Sequence, residues 1–395
     1  LACGVTDLRK GITGLAAVGH RLAVEGPWIS SGYHESGAKQ AGLIRFAPGL
    51  VDSLDEVVLQ GTHFGIAAPF AKQPNDPFVR GKDWGPWDLR GLSDEAIMRT
   101  TYVRACDRDA YVKAQDLRDG RRHSGHFRLF WRRMIDPKNT ERSLFAAIIP
   151  PGPTHVHTVH SMVLSGNEIL ALNAGFWASL PLDYLLRITG RSDLQATEAS
   201  AMPAAASGHP LAAELLVRSL RLNCLTRAYA DLWRELFCEG WRDVRWAVGW
   251  PTSPSLGGIS SRWARSTPLR TDIERRAALV EIDALVAVWL GITASELIAI
   301  YRSRYAVLVD REEAMYFDGS GRRISADPYA FGYGQTKEHW VHLMAHLDNP
   351  ERNPAPAGYS APFYKADREN EYRQAHAVFS KRLQDAIDAG WQPSV

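Results

Sequence analysis

The chain has 395 residues, 45% of them hydrophobic and 23% charged, and a net charge of only +2. That is the make-up of an ordinary globular protein of two or three domains. It excludes a uniformly basic chain, so any nucleic-acid surface has to come from local clustering. No stretch approaches the ~20 apolar residues of a membrane-spanning helix. Cys3, Cys106, Cys224 and Cys238 form no CxxC pair and no zinc-type Cys/His spacing. Reduced thiols and a cytoplasmic setting are therefore expected. A start at Leu1, in a polar segment, is what a fragment or a processed chain would show.

Taken in chain order, residues 1–60 read as mixed αβ. The stretch 55–105 carries Gly61, Pro69, Pro74, Pro77, Trp84, Pro86 and Trp87 and reads as ordered loops, because the rings need burial. Phe127 to Arg132 predicts a strand with interleaved basic residues. Leu144 to Ile149 predicts a buried strand stopped by Pro150-Pro151-Gly152. A third strand is expected at Ile169 to Leu172, then a helix at Ala178 to Ile188. Residues 211–237 read as one helix with an apolar stripe of Leu222, Leu225, Tyr229, Leu232 and Leu236.

Pro251, Pro254 and Gly257-Gly258 mark a loop. Thr271 to Glu274 fits a capping box, opening a helix through Ala278, Ile282, Leu285 and Trp289 that Gly291 stops. Thr293 to Glu296 is a second box. Residues 347–363 read as a Pro-rich loop, and Glu369 to Ala389 as a final polar helix. The expected class is α+β: a connector over 1–100, a strand-and-helix unit over 101–240, and a helical unit over 241–395.

Between Arg118 and Arg142 stand eight Lys/Arg against three acids, a local balance of +5. Such a strip suits a phosphate backbone, since Lys and Arg displace condensed counterions. Its candidate contacts are Arg121, Arg122, Arg128, Arg132, Arg133, Lys138, Asn139 and Arg142, mostly to phosphate. Asn139 suits an adenine edge or a cap after Pro137, and Arg142 is also placed to brace the fold. The bland reading of the same strip is a solvated surface with internal Asp/Arg pairs.

The ordered residues add more. Phe127-Arg128-Leu129, Trp131-Arg132, Asn139-Thr140-Glu141-Arg142-Ser143-Leu144 and Ala146-Ala147-Ile148-Ile149-Pro150-Pro151-Gly152 resemble a block of the target-recognition region of large adenine-N6 DNA methyltransferases. These include the type IIG restriction–modification enzymes and the methyltransferases of BREX- and DISARM-type phage defence. Gln60 to Gly65, Pro69 to Lys72, Trp87-Asp88-Leu89 and Arg99 to Tyr102 look like the segment before that block. Leu222 to Thr226 with Tyr229, Leu232 and Trp233 looks like its closing helix. Glu281 to Ala287 and Leu290 to Thr293 resemble the helical region after it. The resemblance is collinear from about His34 to about Asp318.

It implies recognition of double-stranded DNA beside a catalytic domain that binds S-adenosylmethionine. The donor loop and the Asn-Pro-Pro-aromatic tetrapeptide of such a domain are not in this sequence, and Asn353-Pro354-Ala355-Pro356 is no substitute. No catalytic residue, cofactor or metal is therefore expected in this chain. The expected partners are DNA, a methyltransferase catalytic domain and other defence-system subunits.

Other constellations carry less. His155, His157 and His160 lack a nearby Cys or acid to complete a metal site. Glu281 and Asp283 point to different sides of a helix, and a helix-surface role is the commoner fate of such acids, although Asp283 suits an Arg of the recognition unit. Trp84, Trp87 and Trp177 suit burial before base stacking. Ser253, Ser260 and Ser261 have no His/Asp partner pattern. The alternatives are a protein-binding subunit of a defence complex, with the strip facing an acidic surface, and a free-standing enzyme.

Overall fold

The computed structural model describes residues 21–136, 140–250 and 255–392. Its elements form an α+β fold with several small sheets. The strands are β1 (Trp28–Ser30), β2 (Ile44–Gly49), β3 (Val58–Leu59), β4 (Lys72–Pro74), β5 (Trp84–Pro86), β6 (Thr100–Arg104), β7 (Leu117–Arg118) and β8 (Arg121–Arg122). Then come β9 (Arg128–Arg132), β10 (Ala146–Ile149), β11 (Thr154–His155), β12 (Val159–Val163), β13 (Met315–Phe317), β14 (Arg323–Ser325) and β15 (Tyr364–Lys365). The helices are α1 (Glu35–Gln40), α2 (Arg108–Lys113), α3 (Asn167–Trp177), α4 (Leu180–Ile188), α5 (Ala196–Ser200), α6 (Ala212–Asn223) and α7 (Ala230–Leu236). They continue with α8 (Asp272–Trp289), α9 (Ala294–Arg304), α10 (Ala306–Glu313), α11 (Lys337–Asp348) and α12 (Arg368–Asp388).

The organising sheet is antiparallel, in the order β1-β12-β9-β10. Trp131 of β9 lies between His160 and Ala146, and Phe130 between Ser161 and Ala147. Strand alternation then sends Leu129 and Trp131 to one face and Arg128, Phe130 and Arg132 to the other. The first face packs with Ile148, Met162 and the residues of α3, α6 and α8 in the main core. The second meets Val57, Leu59, Phe64, Phe70 and Leu225 in a smaller one. A sheet covered on both sides explains why Ala146–Ile149 reads as an unbroken apolar run.

Two expectations need correction. Ile169 to Leu172 is part of α3, and the third strand is β12 instead. Every residue from Leu170 to Trp177 is buried, so no polar face is left to betray the helical period. The helix expected over 211–237 breaks into α6 and α7 at Cys224. There the carbonyls of Leu222, Cys224 and Leu225 accept from Arg275, Trp263 and Arg270 rather than from helical N–H groups. Both capping boxes form as expected, with Thr271 and Glu274 opening α8 and Thr293 and Glu296 opening α9. Gly291, just beyond α8, takes a left-handed φ of 69°.

The helical acids are not on the surface. Glu281 accepts from Arg218 and from Val248 N. Asp283 binds Arg142 and also Arg368. Arg368 goes on to Glu312, which binds Arg276, which binds Glu371. Three guanidiniums and three carboxylates therefore alternate through the interior. They tie the loop before β10 to α8, α10 and α12. The main core draws on residues from Leu22 to Phe379, so it runs through all three expected segments. No single helix among the described residues is long and apolar enough to cross a membrane.

Candidate nucleic-acid interface

The two-sided burial of the sheet decides the fate of most of the basic strip. Arg128 is 1% exposed. Its Nε donates to His126 O, and its Nη2 to Pro150 O and Pro153 O, so it clamps the Pro-Pro-Gly stop against the strand start. Burial pushes its pKa down to about 9, which still leaves a cation at neutral pH. Arg142 is 4% exposed and committed to Asp283. Burial removes both from the set of DNA contacts. Arg132 donates to Phe64 O and lies 4.0 Å over the Phe145 ring, so it too serves the interior. Arg133 is partly exposed, with Nη1 2.6 Å from His157 Nε2 and Nε 3.6 Å from Asp193. Lys138 and Asn139 lie outside the described residues.

Arg121 and Arg122 stand apart from these. They form β8, which pairs with β7 in a two-stranded ribbon, Leu117 opposite Arg122 and Arg118 opposite Arg121. The turn is Asp119-Gly120, with φ of 51° and 73°. Two successive left-handed residues define a type I′ turn, whose twist matches that of the strands. All six residues from Leu117 to Arg122 are exposed. The side chains of Arg121 and Arg122 make no hydrogen bond or ion pair to a described residue, while the Arg118 guanidinium sits 5.8 Å over the Trp28 ring.

The root of the ribbon is fixed. His123 Nε2 donates to Trp28 O at 3.0 Å, and its ring stands edge-on to Trp28 at 4.8 Å. Burial, then the charge of Arg128, pushes the His123 pKa down to about 4, so its single N–H stays committed to that carbonyl. Ser30 Oγ donates to Asp116 Oδ2 at 2.6 Å, and His123 N to Asp116 O. A groove of about 430 Å³ runs beside the ribbon, floored by Trp28 and Leu164 and edged by Arg118, Arg121 and His126. Burial, then Arg121 and Arg128, lowers the His126 pKa.

An unpaired charge on a fixed stem is suited to anion contact. The major groove of duplex DNA, about 12 Å wide, admits a two-stranded ribbon, and arginine forks read guanine edges there bidentately. The signal that marks the ribbon in the sequence is Asp119-Gly120 between arginines, since Asp-Gly is a strong hairpin turn.

The remaining candidates have internal partners. His155 Nε2 lies 2.7 Å from Ser161 Oγ, His157 meets Arg133, and His160 packs on Trp131. Trp177 is fully buried against Trp131, Trp84 stands edge-on to His63, and Trp87 edge-on to Phe70. Asn353 Nδ2 donates to Ala345 O and Asn349 O, which closes the end of α11. No known protein family and no curated protein matches this chain.

Proposed function

We propose that this chain is the duplex-DNA recognition portion of an S-adenosylmethionine-dependent adenine-N6 DNA methyltransferase of restriction–modification or phage defence. The observation that carries the reading is the β7–β8 ribbon. On it Arg121 and Arg122 are exposed and unpaired, on an element of a size that the major groove admits. The collinear sequence blocks from His34 to Asp318 support the methyltransferase class. In this reading the ribbon arginines meet phosphates and guanine edges, and the Trp28–His123 root sets the angle of approach. Methyl transfer belongs to a partner catalytic domain. The grip on DNA offsets the few kcal/mol that extruding the target adenine costs.

Anisotropy titration of a labelled duplex, with heparin as a polyanion competitor, tests the reading. Duplex binding that weakens steeply with salt, and that the Arg121→Ala/Arg122→Ala variant loses at least in part, is expected. Absence of duplex binding contradicts it.

A further inference from the structure

A second cationic feature lies outside the ribbon. A cleft of about 600 Å³ opens between the loop after β5, the start of α8, the β13–β14 hairpin and the Phe331–Tyr333 loop. Seven arginines and four acids line it, and the acids are already engaged. Glu312 belongs to the buried network with Arg276 and Arg368. Glu141 pairs with Arg311. Asp272 accepts from Arg323 N, and Asp88 from Arg90 N. Arg275 donates to the carbonyls of Leu222, Leu269 and Ala67, with the charges of Asp272 and Glu274 nearby. Arg276 and Arg368 also pair with Glu371 and Asp283, and Arg270 faces Asp94, which leaves Arg90, Arg322 and Arg323 as lining guanidiniums with no ion pair to a described carboxylate.

Two residues lining this cleft carry a buried N–H donor with no acceptor among the described residues. The Arg323 guanidinium makes no hydrogen bond or ion pair to a described residue, and its Nε is buried; Trp87 Nε1 is buried and equally unpartnered. Buried donors are satisfied in almost all proteins, so such orphans call for an explanation. The Trp87 ring is steadied by the edge-on Phe70 at 5.5 Å, and Phe331 adds a second aromatic surface. Arg90 Nη1 reaches Ser320 Oγ at 3.3 Å, linking the loop after β5 to the hairpin. Orphan donors want an acceptor, an unpaired guanidinium wants an anion, and aromatic walls suit a planar ring.

We propose that this cleft binds a nucleoside phosphate, its phosphate on Arg323 and Arg90 and its base against Trp87 and Phe331. The proposal is independent of the ribbon and stands or falls without it. Two sources share the chemistry: a free nucleotide, and an unpaired nucleotide within a strand.

Calorimetric titration of the full chain with dAMP, deoxyadenosine, inorganic phosphate and a short single-stranded oligonucleotide tests it. Saturable dAMP binding is expected, at least tenfold tighter than deoxyadenosine or phosphate. Arg323→Ala should weaken it about tenfold while leaving the melting temperature unchanged, and Arg90→Ala, at an exposed rim, should weaken it less. Oligonucleotide binding that dAMP displaces assigns the strand as source, and dAMP binding alone assigns the free nucleotide. The proposal is overturned if dAMP does not bind, if phosphate binds as well as dAMP, or if Arg323→Ala binds unchanged. An Arg121→Ala/Arg122→Ala variant should bind dAMP normally, which separates this site from the ribbon.

Discussion

Arg142 and Asp283, 141 residues apart, share a buried two-point ion pair, with Arg142 Nη2 3.0 Å from Oδ1 and 2.9 Å from Oδ2. The same carboxylate accepts from Leu180 N, Arg368 Nη1 and the Tyr372 hydroxyl. One aspartate thus orients the loop before β10, the start of α4 and the start of α12. Removing it strands the buried Arg142 guanidinium and leaves Arg368 paired with Glu312 alone, and breaking a buried pair in this way costs about 3–5 kcal/mol. Asp283→Ala should lose that much stability in urea unfolding at neutral pH. A loss below about 1 kcal/mol would show that the network is not what fixes these elements.

The buried histidines set an acid limit. His63 is fully enclosed; its Nδ1 accepts from Gln60 N and its Nε2 donates to Arg99 O. Burial pushes its pKa from 6.5 down to about 4, against the weaker upward pull of those backbone bonds. A pKa lowered by folding gives stability that is complete above the unfolded value of 6.5 and drains away as pH falls toward 4. His63 alone should account for roughly 1–2 kcal/mol by pH 5. Urea midpoints at pH 7.5 and pH 5 should differ in that direction, and His63→Gln should reduce the difference. An identical pH dependence in the variant would count against a neutral His63.

The two kinds of arginine in the strip should separate in stability measurements. Arg128→Ala strands the carbonyls of His126, Pro150 and Pro153, and a loss of about 2–4 kcal/mol is expected. Arg121→Ala and Arg122→Ala remove nothing from the interior and should stay within about 0.5 kcal/mol of the parent. Thermal melts of the three variants check this. Equal losses would mean that the ribbon is packed after all.

The turn of the ribbon has its own test. A Cβ at Gly120 would meet no other atom within 4 Å, so only its left-handed φ of 73° opposes substitution. Gly120→Val should cost on the order of 1–2 kcal/mol locally and distort the hairpin. The expected result is a protein with a nearly unchanged melting temperature and weaker duplex binding. Unchanged binding would argue that the ribbon's shape is irrelevant to the partner.

Much of the fold is written in local chemistry. The capping boxes at Thr271 and Thr293, the Gly291 stop and the Pro-Pro-Gly stop after Ile149 are readable because each is a contact within a few residues. What escapes depends on distant partners. α3 is buried all round and loses its period, and α6 ends where Arg275 and Trp263 capture its carbonyls. The same blindness affects the basic strip. Charge counting treats Arg128 and Arg121 alike, although one lies in a sheet covered on both faces and the other on a free turn. Asp119-Gly120 distinguishes them, but as turn chemistry rather than as charge.

The most direct test of DNA recognition by the ribbon is the salt dependence of duplex binding for the parent and for Arg121→Ala/Arg122→Ala. Each phosphate contact contributes about 0.9 to the slope of log K against log salt concentration. Weaker binding in the variant and a slope shallower by about 1–2, with stability unchanged, are the predicted result. The same affinity and the same slope in both proteins would contradict it.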